Sequence, residues 1–172
     1  MGRTGLCRRR TVVAKRSKSV DRVAQALADL GVDATPIELD RSTRTAQLAA
    51  DVLGVSLGSI VKSLVFMADS GPVLALVAGD RRADPSKIAS ACGATEVRIA
   101  TAVEVRECTG FAVGGVPPVG HLNAMPVILD ASLSRFELLH AAAGAPQAVF
   151  PITLSELARI TGAAAADIVE TG

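Results

Sequence analysis

Two apolar runs separated by a tight turn constrain the fold of this chain more than any other feature. Residues 63–68 read SLVFMA, residues 73–79 read VLALVAG, and the four residues between them read DSGP. Short apolar runs that flank Gly and Pro are typical of a β-hairpin. The sequence therefore predicts two paired strands near the middle of the chain.

Helical patterns precede this hairpin. Apolar side chains recur at helical spacing from Val20 to Leu30, with Ser19 as the expected cap and Gly31 as the stop. A short strand is expected in ATPIELD, residues 34–40.

Two further helices are predicted directly before the hairpin. The first is STRTAQLAADVLG, residues 42–54, with Ser42 or Thr43 as its cap and Gly54 as its stop. The second is a short helix that runs from residue 56 through residue 61.

After the hairpin, helices and strands alternate. Asp84 and Pro85 open one helix, Gly110 ends another, and Thr153 with Glu156 forms a capping box for a last one. This pattern in 172 residues favours one α/β domain with a mixed, curled (barrel-like) β-sheet flanked by helices. The late strands are expected in residues 96–100, 126–130, 136–143 and 147–152.

Basic side chains are concentrated at the N-terminus. Residues 1–18 hold seven Lys and Arg and no acid, which leaves 11 basic and 17 acidic side chains in residues 19–172. We expect residues 1–18 to form a disordered basic arm and residues 19–172 to form the folded domain. Such an arm is either a solvated leader or a segment that binds RNA phosphates.

Cysteine and histidine are too sparse for several kinds of site. Cys7, Cys92 and Cys108 form no CxxC pair, and His121 and His140 are the only histidines. These counts argue against a disulfide framework and against a metal site, and they favour a reducing cytoplasm. No apolar run approaches the roughly 20 residues that a membrane-spanning helix needs.

Lys62 is the first candidate for a functional side chain. Lys62 and Lys87 are the only lysines after residue 18, and Lys62 lies close in sequence to the apolar Val61 and Leu64. Its ammonium group either reaches past these neighbours to the surface or points into a pocket, where it would hold an anion such as phosphate.

The segment FAVGGVPPVG, residues 111–120, is the second candidate. Proline fixes φ and glycine permits positive φ, so this loop can present a stiff strip of main-chain N–H and C=O groups. Such a strip suits a developing oxyanion, although the same residues can form a plain turn. His121 and His140 could act as general bases or contact RNA, but no local motif activates them, and ordinary structural positions are the simpler interpretation.

Several segments, taken together, resemble one protein family. They are TRTAQLAADVLGVSLGSIVKSLVF, VAGDRRAD, TGFAVGGVPPVG and a C-terminal part that contains VILDASL, ELLHAAAG and LSELARITGA. In this order and spacing they are similar to the YbaK/ProX family of aminoacyl-tRNA editing domains, which are related to the editing insertion of bacterial prolyl-tRNA synthetase. The resemblance extends from about Val20 to Val169.

The resemblance implies a cytoplasmic trans-editing hydrolase. Such an enzyme cleaves the ester between a wrong, small amino acid and the 3′ CCA end of a tRNA, here tRNA(Pro) or a related tRNA, without a metal or organic cofactor. By the same likeness, the lysine contacts the terminal phosphate and the GxxxP loop grips the ester. The expected catalytic residues are Lys62, Gly114, Gly115 and Pro118, and the expected substrate-binding residues are Thr45, Ser63, Val116, Pro117 and His140.

Two departures from the family pattern bear on the substrate. The branch that clears Cys-tRNA(Pro) has an aspartate near the position of Val149. The branch that clears Ala-tRNA(Pro) has an asparagine at the position of Ser63 and a histidine in the region of His140. The substrate specificity of neither branch can therefore be carried over to this chain. Alanine, serine, threonine and 2-aminobutyrate all stay open as the amino acid that is removed. The alternative functions are a non-catalytic module that binds the tRNA acceptor end for a synthetase, and a small-molecule esterase.

Overall fold

The computed structural model of the protein describes residues 17–40 and 43–172. Residues 1–16 of the expected arm, and Ser42 as one of the two expected caps, lie outside this range. No helix within it is long and apolar enough to cross a membrane. The helices are α1 (Lys18–Asp29), α2 (Ala46–Leu53), α3 (Pro85–Cys92), α4 (Ala102–Thr109) and α5 (Leu154–Thr161), with short 3-10 helices at Leu57–Ser59 and Ala131–Arg135.

One mixed sheet contains the described strands, in the order β1-β7-β6-β2-β3-β5-β8, with β4 paired to β2 beside this path. β2 and β3 form the predicted antiparallel hairpin. The sheet is curled but not closed into a barrel, because β1 and β8 are its ends in the described part of the chain. The strands are β1 (Ile37–Glu38), β2 (Ile60–Ala68), β3 (Gly71–Ala78), β4 (Val97–Ile99), β5 (Val127–Asp130), β6 (Leu138–Ala142), β7 (Ala148–Thr153) and β8 (Ala164–Ala166).

Apolar cores cover both faces of the hairpin. Successive side chains of a strand point to opposite faces, so Val61 and Val65 join a larger core with α1 and α5, whereas Phe66 joins a smaller core with α3. The hairpin is therefore buried on two sides, and only its edges remain for other contacts.

Strand pairing is interrupted along one edge of β2. β6 pairs with residues 60–61 of β2, and β4 pairs with residues 66–68. The N–H of Ala100 donates to the carbonyl of Val65 at 2.9 Å on this same edge. Because the main-chain groups of a strand alternate between its two edges, Ser63 turns its N–H and C=O toward the edge as well. No described strand pairs with it there, and a gap is left in the sheet.

The helix caps differ from the sequence prediction by a few residues. Ser17, rather than Ser19, caps α1. Thr45, rather than Thr43, caps α2, and its Oγ1 accepts a hydrogen bond from the N–H of Leu48 at 3.2 Å. Several neighbouring Ser and Thr residues give the same capping signal, and packing of the helix decides among them.

The sequence analysis also predicted two elements longer than they are and missed one strand. The short helix expected in residues 56–61 is limited to Leu57–Ser59, because residue 60 already pairs with β6. The strand expected in residues 34–40 is limited to Ile37–Glu38. Ala164–Ala166 forms an unexpected strand, since three alanines carry no alternating pattern and their pairing with β5 is a tertiary contact.

Arg22 of α1 holds both ends of the loop at residues 110–120. Its Nη2 donates to the carbonyl of Thr109 at 2.7 Å, and its Nε donates to the carbonyl of Gly120 at 2.8 Å. Its Cζ lies 4.2 Å from the centre of the Phe111 ring. Hydrogen bonds from a charged donor are stronger than neutral ones, so α1 fixes where this loop begins and ends.

Replacing Arg22 should destabilise the protein. We expect Arg22→Gln to lower the free energy of unfolding by about 1–3 kcal/mol, because two carbonyls lose a charged donor. Urea denaturation measures this change. Gln25→Ala on the same helix is the control, since Gln25 bonds only the exposed Asp29, and it should change the value by less than about 0.5 kcal/mol. Equal stability of the two variants would contradict the role given to Arg22.

Candidate active site

A cavity of about 360 Å³ lies in the gap beside β2. Its walls come from β2, the start of α2, the segment between β4 and α4, the loop at residues 110–120 and the β6–β7 turn. Most of the lining side chains are Ala, Val, Ile and Leu. The wall includes five of the residues singled out from the sequence, Thr45, Lys62, Ser63, Gly114 and Val116.

Only part of the glycine-proline loop reaches this cavity. Residues 112–114 are exposed, whereas residues 115–119 are buried. The loop is therefore not the uncovered strip of main chain that the sequence suggested, because its proline half packs inward. The wall includes Gly114 and Val116 but not Gly115, Pro117 or Pro118.

Gly115 is where the loop packs against the β6–β7 turn. A Cβ on Gly115 would lie 2.8 Å from the Cα of Ala145, so only glycine fits. Its carbonyl accepts the N–H of Gly144 at 3.0 Å, and its own N–H is bonded within the loop. The N–H groups of Gly114 and Val116 are left as main-chain donors without a partner among the described residues.

Both histidines lie off the cavity wall. The Nε2 of His121 donates to the carbonyl of Pro117 at 2.6 Å, and burial lowers the pKa of this imidazole. His140 is 7% exposed in β6, where burial also lowers its pKa and its Nδ1 has no partner among the described residues. His121 thus fastens the loop from within, and His140 belongs to the sheet.

Lys62 combines partial burial with a cationic head. Its Nζ donates to the carbonyl of Arg81 at 2.5 Å. Burial lowers the pKa of Lys62, while Asp80 and Asp130 act in the opposite direction. An ammonium group has three donors, so two remain for an anion. Lys62 neither extends freely into solvent nor sits alone in a pocket.

Ser63 and Val149, the two positions that depart from the family pattern, both line the cavity. The Oγ of Ser63 is buried and has no hydrogen-bond partner among the described residues. Lys62 and Ser63 point to opposite faces of β2, and both meet the cavity because it lies in the gap between strands.

Arg44 is a cavity residue that the sequence analysis missed. It precedes the Thr45 cap, is exposed, and lines the cavity with no ion pair to a described residue. The positive end of the α2 dipole lies beside it. With the cap at Thr45, Arg44 directly precedes the helix cap instead of lying in the first turn, where the predicted cap at Ser42 or Thr43 would have put it.

The wall can therefore hold a small apolar group that is joined to an anion. Arg44, Lys62 and the start of α2 supply positive charge, and the remaining surface is largely aliphatic. His, Asp, Glu and Cys do not occur among the lining residues. In residues 17–40 and 43–172, no three His, Cys, Asp or Glu side chains are grouped as ligands for a metal ion.

Comparisons with known proteins agree on one family. Residues 40–160 match the family described as the aminoacyl-tRNA editing domain. The crystal structure of a candidate trans-editing enzyme for prolyl-tRNA synthetase superimposes with a TM-score of 0.88 and 46% identity, over 91% of this chain and 100% of that one.

Two curated relatives extend this picture. EbsC of Enterococcus faecalis, named as a candidate Cys-tRNA(Pro)/Cys-tRNA(Cys) deacylase, is 29% identical over 68% of this chain and 77% of its own length. The proline–tRNA ligase of Nitratidesulfovibrio vulgaris is 39% identical over 52% of this chain, but over only 16% of its own length. The resemblance seen in the sequence is confirmed, and this chain belongs to the aminoacyl-tRNA editing domain family.

Proposed function

We propose that this protein is a trans-editing deacylase, which releases a small, wrongly attached amino acid from the 3′ CCA end of a tRNA. The observation that carries the proposal is one apolar cavity whose wall includes Lys62, Gly114 and the start of α2. An aminoacyl ester on a nucleotide offers the matching groups, namely a phosphate, a carbonyl and a small side chain. A prolyl-tRNA synthetase is the expected partner enzyme, and tRNA(Pro) or a related tRNA is the expected substrate.

The size of the cavity limits the amino acid. About 360 Å³ is near the lower end for ligand pockets, and this space must take the aminoacyl group with part of the ribose. The Val61, Val65 and Val105 side chains form part of the wall of this space. A small side chain therefore fits this site better than a large one.

Chemistry at this site depends on orientation and on main-chain dipoles. Lys62 holds the phosphate of the terminal nucleotide, and the free N–H groups of Gly114 and Val116 stabilise the oxyanion that forms on the ester carbonyl. Water adds to the carbonyl carbon and the C–O bond to the ribose breaks. The ribose oxygen takes up a proton, and the amino acid leaves as a carboxylate with release of one proton.

Because His, Asp, Glu and Cys do not occur among the lining residues and Lys62 is assigned to the phosphate, the substrate supplies proton transfer through the neighbouring ribose hydroxyl or an ordered water. Gly115, Pro117 and Pro118 act at a distance in this scheme, by shaping the loop. The absence of His, Asp, Glu and Cys from the cavity wall also fits the second candidate function, a module that binds the tRNA acceptor end without turnover.

Release of amino acid from charged tRNA tests this proposal. tRNA(Pro) carrying labelled alanine, serine, threonine, cysteine or 2-aminobutyrate is incubated with the protein, and Pro-tRNA(Pro) serves as the correct product. We expect at least one wrong ester to be hydrolysed more than about tenfold faster than in buffer. Lys62→Met should lower kcat/KM by about 10- to 100-fold, because a charged contact to phosphate is lost.

Lys87→Met is the matched control for this experiment. Lys87 bonds Asp167 and the carbonyl of Val169 and does not line the cavity. The activity of Lys87→Met should therefore stay within about twofold of the wild type. Tight tRNA binding without hydrolysis would favour the binding module. Full activity of Lys62→Met would contradict the role of Lys62 in binding the phosphate.

Binding of tRNA should weaken at alkaline pH, because Lys62 loses its positive charge there. Burial lowers the pKa of this ammonium group, so its positive charge is lost at lower pH than that of an ordinary lysine, whose pKa is about 10.4. We expect the Kd of a tRNA with an amide-linked amino acid to rise between pH 7 and 10. The rise in Kd should be smaller for Lys62→Arg, because a guanidinium keeps its proton. Parallel curves for both proteins would contradict this assignment.

A further inference from the structure

A second groove continues from the mouth of the cavity. It has a volume of about 510 Å³ and contains one residue, Gln147, that the cavity wall lacks. The cavity and the groove share the other four residues of the groove wall. An RNA strand that leaves the cavity past these residues therefore enters the groove. The shared residues are Arg44, Val113, Gly114 and Pro146.

Arg44 stands where the two spaces meet. Its guanidinium is exposed and has no ion pair or hydrogen bond to a described residue. Lys62, the other cation of the cavity wall, does not line the groove. A guanidinium matches the geometry of phosphate oxygens and offers two parallel hydrogen bonds. The junction therefore carries a free cation that suits a second phosphate.

The rest of the groove suits a nucleotide base. Val113 is 60% exposed and Pro146 is also exposed, so both offer apolar surface to a ring. The side-chain amide of Gln147 can both donate and accept hydrogen bonds. Because the main-chain carbonyl of Gln147 accepts the N–H of Leu39 at 2.7 Å, this end of the groove is anchored to the segment after β1.

We propose that this groove binds the nucleotide before the terminal adenosine, with Arg44 on the phosphate at its 5′ side. The inference rests on the proposed function, in which Lys62 takes the phosphate of the terminal nucleotide. Leaving the cavity, the RNA meets Lys62 first and Arg44 second. The two cations therefore hold successive phosphates of a single-stranded 3′ end.

Substrates of increasing length test this order. One amino acid is esterified to adenosine, to CpA and to CpCpA, which carry no, one and two of the relevant phosphates. For the wild type we expect kcat/KM to rise at each step. For Arg44→Gln the rise from adenosine to CpA should persist, whereas the rise from CpA to CpCpA, about three- to tenfold at low salt, should be lost.

The salt dependence separates a phosphate contact from a structural effect. Each phosphate contact of a single strand contributes a slope of about 0.7 in log affinity against log salt concentration. For binding of a tRNA with an amide-linked amino acid, Arg44→Gln should lower this slope by about this amount, and Arg44→Lys should restore it. Arg106→Gln is the control, because Arg106 is exposed on α4 and lines neither space.

The possible outcomes distinguish the two proposals. Hydrolysis of the esters without a second rise in the wild type, or with that rise kept in Arg44→Gln, overturns the groove assignment alone. Loss of the first rise instead of the second in Arg44→Gln also overturns it, since Arg44 would then hold the terminal phosphate. No hydrolysis of any ester, and none of charged tRNA, overturns the proposed function and this inference with it.

Discussion

The site depends on the point where β2 loses its partner along one edge. β6 ends its pairing at residue 61 and β4 begins at residue 66, so the main-chain groups of Ser63 face a cavity instead of a strand. An open strand edge inside a protein is unfavourable unless water or a ligand bonds to it. Lys62 and Ser63 lie on this interrupted stretch of β2, and both line the cavity.

The loop at residues 110–120 closes this gap because three sets of contacts hold it. Arg22 ties its ends to α1, His121 fastens it from within at Pro117, and Gly115 lies against the backbone of Ala145. Main-chain donors stabilise a developing charge only when they are held in place beforehand. Contacts on the far side of the loop therefore determine where the main-chain N–H groups of Gly114 and Val116 can lie.

Local patterns in the sequence were sufficient for the hairpin, for the capping box of α5 and for the helix that Asp84 opens, because each is set by neighbouring residues. Lys62 and Gly114 could be placed at one site only through the family resemblance. The burial of Pro117 and Pro118 was missed, because the loop that carries them is held by Arg22 and by the β6–β7 turn, which are far away in the sequence. The Thr45 cap, and Arg44 with it, depends on how α2 packs on β2.

An aliphatic wall is a weak basis for choosing an amino acid. Such a surface separates side chains that differ by one methylene by only about 1–3 kcal/mol, and at Ser63 a single hydroxyl adds to it. In the proposed function, the cations Arg44 and Lys62 act on a different part of the substrate, the phosphates that every tRNA carries. Under that proposal, selection of the amino acid comes mainly from exclusion by size, while charge holds the RNA end in register. Arg44 and Lys62 both line the same cavity as the aliphatic side chains, so one site combines the two kinds of contact.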